Sequence, residues 1–183
     1  IYTLSLHDAL PILVIPVDPM RSVIEKRPAG SLPAVAEKID YWTSAGQQRL
    51  YLIVTFLPID LEGGGKAERA IEFFMPVGQN GESQQWITAT MRSLSLAARG
   101  GFLDRALEDM RKVTWDRGPV RLGSYRRADG QEVPRWHDSE VAAIGYAIEE
   151  LIARRAQATQ GSLFPEEALP ITKIGRASCR ERV

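Results

Sequence analysis

Apolar residues alternate with polar ones at Ile71, Phe73, Met75 and Val77, the period of a strand with one buried face. The alternation breaks at Gly78-Gln79-Asn80-Gly81, residue types that tolerate positive φ. It resumes at helical spacing with Ile87, Met91, Leu94 and Ala98, widened by Trp86, Thr90 and Ala97. Asn80 or Ser83 would cap this helix, and Gly100-Gly101 would stop it. Residues 69–99 therefore read as strand, glycine turn and helix, and the rest of the chain is arranged around them.

Upstream, residues 49–57 (RLYLIVTFL) are nearly continuous in apolar and β-branched side chains, which predicts a strand covered on both faces. Residues 35–43 alternate and end in aromatics, a second strand. The short loop 44–48 makes the pair an antiparallel hairpin. Residues 13–34 hold Pro16, Pro19, Pro28 and Pro33 and read as an irregular lead-in. Residues 58–68, with Pro58 and Gly63-Gly64-Gly65, read as a mobile connection. No Lys-Ser or Lys-Thr follows the glycines, so they do not form a Walker-type phosphate loop.

Downstream, Leu103, Ala106, Leu107, Met110 and Val113 mark a second helix over 103–113, folded closely onto the first. Turn chemistry dominates 114–136, where Asp129-Gly130 could close a short hairpin. A third helix over 138–156 is capped by Asp138 or Ser139 and buries Val141, Ile144, Ile148, Leu151 and Ile152. Gly145 on that stripe predicts close approach of another element, and Arg154 and Arg155 suit the last turn of the helix. Residues 157–172 read as an exposed tail. The expected fold is α+β: a small, mainly antiparallel sheet of about three strands on a central helix, with two further helices, in one domain over 35–156.

The two ends change the composition. Residues 1–12 resemble a translated sequencing-library adapter, and 173–183 resemble its reverse complement in another frame. Both are expected to be disordered and are excluded from fold reasoning. They carry Asp8, Glu181, Lys173, Arg176, Arg180 and Arg182, so without them the 23 basic and 23 acidic side chains become 19 and 21. The single cysteine, Cys179, and His7 leave with them, and His137 is the only histidine left. That excludes a disulfide scaffold, a thiolate metal site and a multi-histidine site within 13–172. Near-neutral charge gives no general attraction to nucleic acid or membrane, and no run is apolar enough to span a bilayer. The expectation is a cytoplasmic protein with no membrane association and no metal site.

Two places could carry binding chemistry. Free N–H groups at the turn Gly78, Asn80, Gly81 and Ser83 could hold an anion, or the turn is structural only. The segment 111–137 holds Arg111, Lys112, Arg117, Arg121, Arg126, Arg127 and Arg135 against Asp116, Asp129 and Glu132, with Trp115, Tyr125 and Trp136 interleaved. Arginine among aromatics binds nucleotides or single strands by charge and stacking. The alternative is a solvated loop pinned to the core by its tryptophans, its arginines paired to nearby acids. His137-Asp138-Ser139 contains the residue types of a hydrolase triad, but the side chains of consecutive residues diverge. His137 is read instead as a contact at the start of the helix or with a partner. The chain offers no autonomous catalytic centre.

Several pieces resemble, in order, the TSCPD domain of adenosylcobalamin-dependent (class II) ribonucleotide reductases. They are Arg27-Pro28, the strand 50–54 (LYLIV), 71–78 (IEFFMPVG), 91–101 (MRSLSLAARGG) and the helix beginning Leu103-Asp104. The segments 115–121 (WDRGPVR) and 133–144 (VPRWHDSEVAAI) are similar to the small second subunit of split class II reductases. The Thr-Ser-Cys-Pro-Asp signature that names the family is absent. The resemblance implies an accessory subunit or C-terminal domain that binds the catalytic chain of a ribonucleoside-diphosphate reductase and so supports deoxyribonucleotide synthesis. It implies no cofactor in this chain, with adenosylcobalamin on the catalytic partner. The docking or nucleotide-binding residues would be Trp115, Arg117, Arg121, Arg126, Arg127, Arg135, Trp136 and His137. The competing expectation is a free-standing nucleotide or single-stranded nucleic-acid binding module. Clustered arginines with solvent-facing rings would favour that module. Buried rings with arginines paired to acids would favour docking on the catalytic chain.

Overall fold

The computed structural model describes residues 18–61, 64–76 and 82–161. The fold is α+β: five antiparallel strands and three helices. In chain order these are β1 (Ala34–Thr43), β2 (Gly46–Asp60), β3 (Lys66–Phe74), α1 (Glu82–Arg99), α2 (Leu103–Arg111), β4 (Val120–Arg126), β5 (Glu132–His137) and α3 (Glu140–Gly161). The sheet runs β3-β2-β1-β4-β5. The expected hairpin is present as β1 and β2, closed by a turn at Ser44 and Ala45 with Gly46 at φ 109°. Adapter-like residues 1–12 and 173–183 lie outside the described residues, as do 162–172 of the expected tail.

The inner face of the sheet follows the alternation in β1 and β2, while in β3 a register shift opposite Thr55 and Phe56 puts Ala70 and Phe73, three apart, on that face and leaves Ile71 at the irregularity. Ile39, Leu52, Val54, Phe56, Ala70 and Phe73 meet Met91, Leu94 and Ala98 of α1, Leu107 of α2, and Ile144, Ile148 and Leu151 of α3. β3 is an edge strand, and α1 covers its backbone. The Phe73 N–H donates to Ser95 Oγ at 2.9 Å, and that hydroxyl donates to the Met91 carbonyl at 2.7 Å. Helix α1 ends in a Schellman motif: Phe102 N–H donates to the Ala97 carbonyl, Gly101 N–H to that of Ala98, and Gly101 has φ 83°. The glycine stop read from the sequence is therefore correct.

Several expectations need correction. The sheet has five strands rather than about three, because the turn-rich segment supplies β4 and β5 around a turn containing Asp129-Gly130. The expected mobile connection 58–68 is largely strand: Pro58 pairs with Glu68 and Asp60 with Lys66. β1 ends opposite Thr55, so β2 has no neighbour on that side at Pro58, where a missing N–H is tolerated. Trp86 is exposed rather than part of the α1 stripe, and Val113 falls beyond α2. Helix α3 runs to Gly161, through part of the expected tail, so Arg154 and Arg155 lie before its last turn. They reach across to the sheet instead, pairing with Glu37 of β1 and Glu68 of β3 at 2.7 and 2.6 Å.

The lead-in is irregular, as expected, but it is fastened. Ile24 N–H donates to the Arg99 carbonyl, and Phe56 N–H to that of Pro33. Arg27 Nε is 3.0 Å from Glu72. Glu72 and its partner Thr55 point away from the helices, since neighbouring Phe73 and Val54 are core residues. The lead-in thus lies over the β2–β3 end of the outer face.

Candidate functional site

The outer face is uncovered at its β1–β4–β5 end. In β1, Ile39 and Tyr41 face the core, so Lys38, Asp40 and Trp42 face outward. Cross-strand register then assembles the surface. Trp42 pairs with Arg121 of β4, and Arg121 pairs with Trp136 of β5. Directly paired residues share a face. The result is a row across three strands, Trp42–Arg121–Trp136, with the guanidinium carbon 4.2 Å from the Trp42 ring centroid. Trp136 is 59% exposed and Trp42 38%. Along β1 and β2 the same face presents Asp40 with Arg49, 2.7 Å apart, then Lys38 with Tyr51, whose ring is 51% exposed.

The residues singled out in the sequence do not form one site. Arg121 and Trp136 lie on the outer face. Arg135 and His137, at alternate positions of β5, turn toward α3. There the Arg135 guanidinium lies 4.6 Å from the Tyr146 ring and 5.7 Å from that of Tyr125, and its Nε has no hydrogen-bond partner. The His137 ring is 4.9 Å from Tyr146, and its Nε2 is 3.2 Å from the Leu122 carbonyl oxygen. An acceptor-only carbonyl puts the proton on Nε2. Burial, with the Arg135 cation nearby, holds the His137 pKa below its usual value. Gly123 sits in a bulge at φ 74°, a backbone conformation that favours glycine, and lies against the Tyr146 ring.

Trp115 and Arg117 occupy the loop before β4, where the guanidinium stacks 4.8 Å from the ring and the Arg117 carbonyl accepts from Ser44 Oγ. Arg126 and Arg127 stand at the opposite end of the hairpin, beside the turn to β5. Of the candidate anion-binding turn, Gly78, Asn80 and Gly81 lie outside the described residues; Ser83 is in the first turn of α1, with only its backbone described.

The rings face solvent, but the arginines are spread over several surfaces rather than clustered on one. Trp115, Tyr125 and Trp136 are solvent-facing rather than pins into the core. Among the described residues, Arg117, Arg121, Arg126, Arg127 and Arg135 form no ion pair, while most other arginines do. Three of the five lie over aromatic rings instead. Sequence reading missed Trp42, Tyr51 and Lys38. The alternation of Lys38, Asp40 and Trp42 against Ile39 and Tyr41 marked an outward face, but only the β1–β4 pairing places it beside Arg121.

Ser139 Oγ donates to the Val113 carbonyl and accepts from Ala142 N–H, as the cap of α3. His137 Nε2 contacts the Leu122 carbonyl, and no hydrogen bond joins His137 to Ser139. Among the described residues no three metal-ligating side chains converge, and no helix is long and apolar enough to cross a membrane. No family model, no curated protein and no solved structure matches this chain.

Proposed function

We propose that this chain is a non-catalytic binding module for nucleotide or single-stranded nucleic acid, working through the uncovered β1–β4–β5 face. The observation that carries the reading is the row Trp42–Arg121–Trp136, two exposed indoles flanking a guanidinium with no acidic partner among the described residues. Indoles stack on bases of any sequence, at about 1–3 kcal/mol per base. A stacked guanidinium keeps its edge N–H groups for phosphate. Titration of the full chain with nucleoside diphosphates and short single strands, followed by calorimetry, tests the reading. Binding weakened by Arg121→Ala supports it; no heat with any of them refutes it.

A second reading keeps the role implied by the resemblance, an accessory subunit of a class II ribonucleoside-diphosphate reductase. A different surface favours it: a shallow groove lined by Val23, Ile24, Leu96, Ala97 and Phe102, where Val23, Leu96 and Phe102 are exposed although apolar. Exposed apolar patches of this kind mark protein interfaces. The two readings use separate surfaces, so one chain could serve both. Affinity for the catalytic chain of such a reductase, and the rate of cobalamin-dependent reduction with and without this chain, test the second. Absence of both binding and rate change would dismiss it.

A further inference from the structure

The geometry points to a single strand of nucleic acid, rather than a lone nucleotide, as the occupant of the outer face, with Tyr51 and Lys38 belonging to the same site. This rests on the nucleotide or single-strand reading and narrows it. Trp42 and Trp136 are both cross-strand neighbours of Arg121, so they stand two strand spacings apart, roughly 10 Å. Tyr51 pairs with Lys38, four residues along β1 from Trp42, roughly 14 Å away along and across the sheet. A base plane that lies on one of these rings does not reach the next. A lone nucleotide therefore uses one platform and leaves the others in water. Several linked nucleotides engage two or three, and each later contact is intramolecular once the first is made.

Charge runs the same way. Asp40 is neutralised by Arg49, and Glu132 accepts a hydrogen bond from Ser124. Arg121 lies between Trp42 and Trp136, and Lys38 lies directly opposite Tyr51; neither has an acidic partner among the described residues, and the Asp40–Arg49 pair fills the gap between Tyr51 and Trp42. Arg126, the last residue of β4, and Arg127, just past it, add positive charge at the far end of that hairpin. Exposed rings with unpaired cations beside them match the bases and phosphates of a strand. Stacking on exposed rings accepts every base and carries little sequence preference.

The test is intrinsic tryptophan fluorescence of the full 183-residue chain, titrated with a thymidine octanucleotide and with thymidine monophosphate. The octanucleotide is expected to bind at least tenfold more tightly. Two neutralised phosphates predict an affinity loss of about sevenfold between 50 and 200 mM salt. Trp136→Ala is expected to weaken the octanucleotide by about 5- to 150-fold, while Trp136→Phe keeps a stacking face and most of the affinity. Arg121→Ala should weaken binding and flatten the salt dependence, and Arg121→Lys should restore the slope but not the full affinity. Thermal melts of all four variants separate lost binding from lost folding. Equal affinity for the monophosphate and the octanucleotide overturns the strand inference and leaves the nucleotide reading standing. Binding of neither overturns both. Tight octanucleotide binding unchanged by any of these variants places the site elsewhere and also overturns the inference.

Discussion

Arg69 is the best place to test how the lead-in is held. It lies on β3 and is 3% exposed. Its guanidinium donates to the carbonyls of Ala98 at 2.5 Å, Ser22 at 2.6 Å, Pro19 at 3.2 Å and Arg99 at 3.3 Å. Two of these are terminal carbonyls of α1, where a cation also complements the helix dipole. One side chain therefore joins the lead-in, β3 and the end of α1. Arg69→Met keeps the apolar length and removes the donors. Hydrogen bonds to a charged group contribute about 1.5–3 kcal/mol each, so the two short ones represent about 3–6 kcal/mol. Burial disfavours the charged form of Arg69, and removing that cost offsets part of the loss. The net expectation is about 3 kcal/mol. With a urea slope of about 2 kcal/mol per molar, the midpoint falls by about 1.5 M. Proteolysis should begin to cut at 19–27 in the variant. A midpoint within 0.5 M of the wild type, about 1 kcal/mol on that slope, with no new cleavage, would refute the reasoning.

Other perturbations probe separate joints. Gly101→Ala would place a Cβ 2.2 Å from the Arg21 carbonyl oxygen, in a positive-φ position, and should cost about 2–4 kcal/mol in chemical denaturation. Gly145 faces Met110 and Arg111 of α2, with only 3.3 Å available to a Cβ; Gly145→Leu should cost about 1–3 kcal/mol by overpacking, read from the thermal midpoint. Ser95→Ala orphans the buried Phe73 N–H and should cost about 1–3 kcal/mol, read from the urea midpoint. His137 has a folded-state pKa lowered chiefly by burial, so the unfolded chain takes up its proton first as pH falls. Its neutral ring thus supports the fold above about pH 6.5, and that contribution is lost on acidification through the lowered value. Arg135, Arg111 and Asp138 also face it. Plots of stability against pH for wild type and His137→Gln should therefore differ in slope between that lowered value and about pH 6.5.

Elements with an unbroken period were legible in the sequence. The β1–β2 hairpin, the stop of α1 at Gly100-Gly101, the cap of α3 and the close approach at Gly145 follow from local chemistry, and the structure contains each of them. β4 and β5 were hidden because their inner face is not apolar throughout: Arg135 and His137 point inward, Arg135 against the Tyr146 ring and His137 against that ring and the Leu122 carbonyl. The bulge between Arg121 and Ser124 also breaks the period. The arginine–aromatic character of 111–137 was visible, but its division into an outer face and an α3 side was not. Period two assigns alternate residues to opposite faces only once a segment is known to be a strand. Trp42 was out of reach for another reason. It lies in a different hairpin, and a long-range strand pairing alone puts it beside Arg121.

The chain has four tryptophans, at 42, 86, 115 and 136, and so four indole N–H signals in a nitrogen-15 correlation spectrum. Assigning them with single Trp→Phe variants and adding a short single strand tests the central claim most directly. The account predicts that the Trp42 and Trp136 signals move together on titration while Trp86, exposed on α1, stays in place. Movement of Trp86 with Trp42 and Trp136 unmoved, or no movement at saturating strand, would contradict it.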